Sequence, residues 1–185
     1  MNKTVCYTCI TGGYDSLKEP LTVPDNIDFI CFTDDMQLKS AVWRIKPIPE
    51  ELQFLSDVKK QRIVKICPHR YLSEYDVSVW IDGNILVKGD LNSFISHYDL
   101  SQVPFYTRAH PCRNCIYDEM EACKQLGKDK SEIMQAQVSR YHAEGYPPHA
   151  GMAETNILLR KHNDRSCILL ANLWASELLN SSHRD

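Results

Sequence analysis

Short apolar runs that stop at polar or glycine-rich turns recur along the first half of the chain. Thr4 to Thr11 is one such run and leads into Gly12-Gly13-Tyr14-Asp15; Ile27 to Thr33 ends in Asp34-Asp35. Val77-Ser78-Val79-Trp80-Ile81 is broken by Asp82-Gly83-Asn84. Runs this short, apolar on successive positions and bounded by turn residues, predict strands buried on both faces. Trp43 to Ile48 reads as a further short strand. Between these runs, Val58, Ile63, Ile66 and Cys67 recur at helical spacing over Ser56 to Cys67, and Pro68 stops the pattern. Helices are predicted over Cys115–Leu126 and Ser131–Glu144, the second ending at Gly145. A strand over Glu154–Arg160 precedes a helix over Asp164–Leu179, capped by Asn163 or Asp164. Ile168, Leu169, Leu173, Trp174 and Leu178 are its expected core side.

Strands alternating with helices predict an α/β domain whose ligand crevice lies beyond the carboxyl ends of the strands. The polar clusters Gly12-Gly13, Asp34-Asp35 and Asp82-Gly83-Asn84 all fall there. A nucleotide-type ligand suits such a crevice, because glycines let backbone amides approach it.

A length of 185 residues favours one domain, and 43% hydrophobic with 24% charged residues excludes a disordered or fibrous chain. No apolar run approaches the length of a membrane span, and the first residues lack the pattern of a signal peptide, so a cytoplasmic protein is expected. A net charge of −3 argues against a nucleic-acid binder. Locally, Lys59, Lys60, Arg62, Lys65 and Arg70 form a basic island without an acid among them. It suits a small anionic ligand, or is a solvated helix face.

Of eight cysteines, Cys6, Cys9, Cys31, Cys67 and Cys167 sit in apolar runs, where a thiol packs as a small hydrophobe. Cys112 and Cys115 have a zinc-type Cys-x-x-Cys spacing, and with Cys123 and His110 they form a candidate zinc set. A second such pair is missing.

Asp82 and Asn84, two apart at the end of a strand, can point their oxygens into one crevice. Hard oxygen ligands suit Mg²⁺ or Mn²⁺. The competing reading is a simple turn, since Asp-Gly and Gly-Asn are common turn dipeptides.

The chain resembles the GT-A-fold glycosyltransferases, whose Asp-x-Asp motif ends a buried strand in this way. More narrowly it is similar to a plant and bacterial family, long catalogued as a domain of unknown function, with members named for turgor regulation and mucilage. The stretches that carry this are Tyr7 to Asp15, Phe29 to Asp35, Lys65 to His69, Trp80 to Asn84, His110 with Arg113 and Glu119, Glu144-Gly145, Ile157 to His162, and Arg184-Asp185. The resemblance implies a GT-A-like, Rossmann-like domain over residues 1–185, with a mostly parallel mixed sheet flanked by helices. It implies transfer of a sugar from a nucleoside diphosphate donor, a UDP-sugar above all, to an acceptor hydroxyl, with Mn²⁺ or Mg²⁺ as cofactor.

It also implies site roles. Thr11, Gly12 and Tyr14 would line the base pocket, and Asp34 or Asp35 would accept hydrogen bonds from uracil or ribose. Lys65 and Arg62 would offset diphosphate charge, and Asn156 would touch the donor sugar. Asp82 and Asn84 would hold the metal, and Asp185 would orient or deprotonate the acceptor. His110, Arg113, Glu119, Glu154, Arg160 and His162 would belong to acceptor recognition or to the family signature. Two departures stand out: Asn84 replaces the second aspartate of the wider motif, and the chain stops at Asp185 where the family continues with Gln, which leaves a truncated C-terminus open. These favour the alternatives of a non-catalytic nucleotide-sugar or glycan-binding module, or a zinc-stabilised interaction domain. A nucleotidyltransferase is disfavoured, because Thr11–Leu17 contains no Lys or Arg.

Overall fold

A computed structural model describes residues 3–184. The six strands are β1 (Thr4–Ile10), β2 (Ile27–Thr33), β3 (Arg44–Pro47), β4 (Val77–Ile81), β5 (Phe105–Ala109) and β6 (Ala153–Arg160). They form one sheet in the order β3-β2-β1-β4-β6-β5. The first four are mutually parallel, with β1 between β2 and β4, so their carboxyl ends share one edge. β6 runs antiparallel to both β4 and β5, with Ile157 opposite Ile81. The predicted mixed, mostly parallel α/β sheet is the one observed.

Alternate residues of β1 serve opposite faces, as a pleated strand requires. Val5, Tyr7 and Cys9 join Ile30, Phe32, Trp80 and Leu158 in a core covered by α1 (Asp57–Ile66) and α6 (Arg165–Asn180). Cys6 and Ile10 join Phe29, Cys31, Val79 and Ile81 on the other face. That face is covered by Trp43 and the short helix α3 (Leu91–Ser96), which Asp90 caps by accepting from the amides of Asn92 and Ser93. Pro68 ends α1 but also opens a one-turn helix, α2 (Pro68–Tyr71), since proline suits a first helical position. A helical pair, α4 (Ile116–Gln125) and α5 (Ser131–Ala143), packs its own small core of Met120, Cys123, Met134 and Val138.

α6 is capped by Asp164, whose side chain accepts from the amide of Ser166. Its buried side departs from expectation: Cys167, Ala171, Ala175 and Leu178 face the core, while Leu169 and Leu173 are 61% and 60% exposed. Small residues bring the helix axis close to the sheet; Leu178 is buried and Trp174 packs on the core as expected, while Leu169 and Leu173 are left outside.

Candidate functional site

A cavity of about 670 Å³ opens at the carboxyl ends of β1 and β4, within the range of small-molecule sites. Thr11, Gly12, Tyr14 and Asp15 form one wall and Asp57, Gln61 and Arg62 of α1 another. Asp82 and Asn84 form the floor side, and Lys128, His183 and Arg184 close the far side. Gly12, Asp34 and Asp82 share one sheet edge as expected, and the Gly12 amide donates to Asp34 Oδ2 at 2.8 Å, but Asp34 itself does not line the cavity as Gly12 and Asp82 do.

Local chemistry builds the first wall. Gly12 and Gly13 have φ of +61° and +63°, left-handed values that favour glycine. A Cβ at Gly12 would also stand 2.8 Å from Asp57 Oδ2, so the turn can lie against the start of α1. Thr11 Oγ1 ties the same two elements by donating to the Asp57 carbonyl at 2.8 Å. Beyond the glycines, Tyr14 is 85% exposed at the cavity wall.

Asp82 is held from three sides. Its amide donates to the carbonyl of Asn156 at 3.0 Å, extending the β4–β6 pairing by one residue. Its Oδ1 accepts from Trp80 Nε1 at 2.8 Å and lies 3.5 Å from Lys65 Nζ. Asp82-Gly83-Asn84-Ile85 is also a turn, closed by the Ile85 amide donating to the Asp82 carbonyl at 3.0 Å. The turn reading and the crevice reading are therefore both true of this segment. Lys65 differs from expectation: it is 1% exposed, donates to Thr155 Oγ1 at 2.9 Å, and brings its charge to Asp82 from inside the fold. Arg62, on the preceding turn of the same helix, is the α1 cation in the cavity wall.

Asp15 was not singled out by sequence as a site residue, yet it packs on Gly83. A Cβ there would meet Asp15 Oδ2 and Ile10 Cγ1 at 3.0 Å. Burial and, next, the charge of Asp82 push the Asp15 carboxyl up from its ordinary value. Two crowded carboxylates with the Asn84 amide in one wall make an all-oxygen donor set, which fits a hard divalent cation. Across β6, Asn156 Oδ1 is buried with no hydrogen-bond partner among the described residues. Asp15 was legible only as part of the Gly-Gly-Tyr-Asp turn. Asp57, Lys128 and His183 carried no local signal at all, and Arg184 only as part of the Arg184-Asp185 stretch.

Other predicted residues lie elsewhere. Asp35 shapes its own turn, its Oδ1 accepting from the Gln37 amide at 2.9 Å. Arg160 is 2% exposed and donates to the carbonyls of Lys65 (2.8 Å) and Ile66 (3.4 Å) and to the Tyr7 hydroxyl, so it fastens the end of α1 to the sheet. His162 is 1% exposed, its Nε2 meeting the Leu72 carbonyl at 3.0 Å; burial lowers its pKa to about 4. Neither lines the crevice. Glu154 lies 3.9 Å from Arg108 at the β5–β6 bulge. Asp185 lies outside the described residues.

His110 Nδ1 accepts from the amides of Cys112 (3.3 Å) and Arg113 (3.0 Å), a turn cap that takes up that nitrogen. Arg113 pairs with Glu119, which also accepts from Cys123 Sγ at 3.3 Å. His110 Nδ1 and Cys123 Sγ are thus engaged in other contacts, and the candidate zinc set of His110, Cys112, Cys115 and Cys123 does not form a cluster among the described residues. Glu119 instead lines a second, mainly apolar cavity of about 520 Å³ between α4, α5, α6 and β6, which shares Arg184 with the first.

A family model described as TOD1/MUCI70, glycosyltransferase-like domain, matches residues 1–185, and the chain belongs to that family. No curated protein matches the sequence.

Proposed function

We propose that this glycosyltransferase-like domain transfers a sugar from a UDP-sugar to an acceptor hydroxyl in the crevice between β1, β4 and α1. The supporting observation is one cavity that gathers a left-handed glycine turn, an exposed tyrosine ring, an arginine and an Asp-Gly-Asn turn. Tyr14 offers a face for a base, and the backbone beside Gly12 and Gly13 admits close approach of a ribose. Arg62 pairs with the diphosphate through charge-assisted hydrogen bonds. Asp82 and Asn84, with Asp15 beside them, would hold Mn²⁺ or Mg²⁺; when bound, the ion neutralises charge on the departing diphosphate. Trp80 and Lys65 fix the Asp82 carboxylate in its rotamer, so that its free oxygen is presented to the crevice. The acceptor enters from the side of the second cavity, where Glu119 stands in the wall and Arg113 orients it.

Calorimetric titration of UDP into the protein with and without Mn²⁺, followed by a UDP-sugar hydrolysis assay, tests this reading. Metal-dependent UDP binding with turnover supports it; an absence of UDP binding overturns it. Asn84 favours one second reading, a non-catalytic nucleotide-sugar binder, because an amide contributes no charge to the metal. Tight UDP-sugar binding with no hydrolysis or transfer would select that reading. No helix among the described residues is long and apolar enough to cross a membrane.

A further inference from the structure

Away from the crevice, the start of α4 meets the segment that leads into β6. Cys115 is the N-cap of α4 and Asp118 lies in its first turn. His149 comes from the 146–151 segment and has φ +55°, the only left-handed non-glycine among the described residues. One ligand atom from each of Cys115, Asp118 and His149 lies within 4.8 Å of the others. Cys115 is 2% exposed, and its thiol, like those of Cys6, Cys9 and Cys112, has no hydrogen-bond partner among the described residues, but it alone of these lies beside a histidine and an aspartate within ligand reach. His149 Nδ1 is 2.9 Å from Asn114 Oδ1. An amide oxygen only accepts, so Nδ1 carries the proton and Nε2 keeps its lone pair, as second partners of metal-bound histidines arrange.

We infer that Cys115, Asp118 and His149 bind Zn²⁺. Thiolate, imidazole and carboxylate together match zinc and fit poorly with the hard cations that suit the crevice. The thiol proton leaves to solvent as the S–Zn bond forms, and water takes the fourth position on the exposed side of Asp118 and His149. The ion clasps the 146–151 segment to α4, reinforcing the bond from the Gly151 amide to the Asn114 carbonyl at 3.0 Å. That segment feeds β6, whose Asn156 carbonyl accepts from the Asp82 amide and whose Thr155 accepts from Lys65.

The test is Zn²⁺ uptake by the reduced, metal-stripped full chain, read by competition with a metallochromic indicator, alongside the spectrum of the Co²⁺-loaded protein. The expected result is one Zn²⁺ per chain and a charge-transfer band of single-thiolate strength. Cys115→Ser and His149→Ala should each lower affinity tenfold or more, while Cys112→Ser and Cys123→Ser leave it unchanged. The wild-type spectrum needs no variant to fold: absence of a thiolate band or of stoichiometric uptake overturns the site. So would wild-type affinity in His149→Ala, or an equal loss in Cys112→Ser or Cys123→Ser, which would return the ligands to the Cys-x-x-Cys set.

Discussion

Gly83 stands where a methyl group would press on both Asp15 and Ile10 at 3.0 Å. Neither neighbour is the loose end of a long chain, so Gly83→Ala should cost about 1–3 kcal/mol by overpacking. Because Asp82 and Asn84 flank that position, UDP affinity should fall with it; urea unfolding and calorimetry read the two effects. Charge at the same turn gives a sharper contrast. Asp82→Ala leaves Asp15 as the one carboxylate of the donor set and should sharply weaken Mn²⁺-dependent stabilisation by UDP, whereas Asn84→Asp should strengthen it. Unchanged Mn²⁺ dependence in both variants would reduce the segment to a turn. His162 answers to proton rather than metal. Its folded pKa near 4 lies below the ordinary histidine value near 6.5, so the unfolded chain binds the extra proton between them. Stability should therefore fall as pH drops from 6.5 towards 4, by up to about 3 kcal/mol from this group. His162→Gln should flatten that fall between pH 6.5 and 5, before carboxylates titrate, as urea midpoints at each pH would show.

At the scale of elements, Arg160 explains how α1 keeps its angle to the sheet. A guanidinium at the carboxyl end of a helix meets the negative end of its dipole and two carbonyls left without helical partners. Arg160→Met should leave the Ile66 carbonyl unpaired and the Lys65 carbonyl and Tyr7 hydroxyl bonded only to each other, lowering stability by about 1–3 kcal/mol. UDP affinity of the folded fraction should change little, since the residue lies outside the crevice; a large affinity loss at unchanged stability would instead restore it to the binding site. The strands with continuous apolar runs were legible to within a residue, because β1, β2 and β4 are buried on both faces and periodicity leaves them no alternative. β5 was not legible: it is an edge strand of five residues, Phe105-Tyr106-Thr107-Arg108-Ala109, half-buried or exposed throughout. α3 escaped for a similar reason, as six residues held by one aspartate cap carry too few turns to show a period. The crevice was legible where its residues end strands. It was hidden where contacts depend on distant packing, as with Asp15 on Gly83 or Lys65 turned inward to Asp82.

Across the whole molecule, the crevice joins parts of the chain that lie far apart, and Asp129 is what brings its far wall in. Its Oδ2 accepts from Ser182 Oγ at 2.7 Å and from the His183 amide at 2.9 Å, clamping residues 182–184 to the turn after α4. Burial pushes this carboxyl up, but the hydrogen bonds from Ser182 and the amides of Lys130 and His183 outweigh it and hold the group below its ordinary value. Asp129 itself does not line the cavity, whereas Lys128, His183 and Arg184 do. Asp129→Ala should thus release a wall without touching a ligand. Under the proposed function, UDP affinity should fall about three- to tenfold, on the order of one charge-assisted hydrogen bond redistributed through Lys128 and Arg184. Uridine, which lacks the diphosphate those cations would face, should bind as before. Calorimetric titration of both ligands into wild type and variant separates the cases. Equal loss for UDP and uridine would mean the clamp shapes the whole crevice, and unchanged affinity for both would place the donor against β1, β4 and α1 alone.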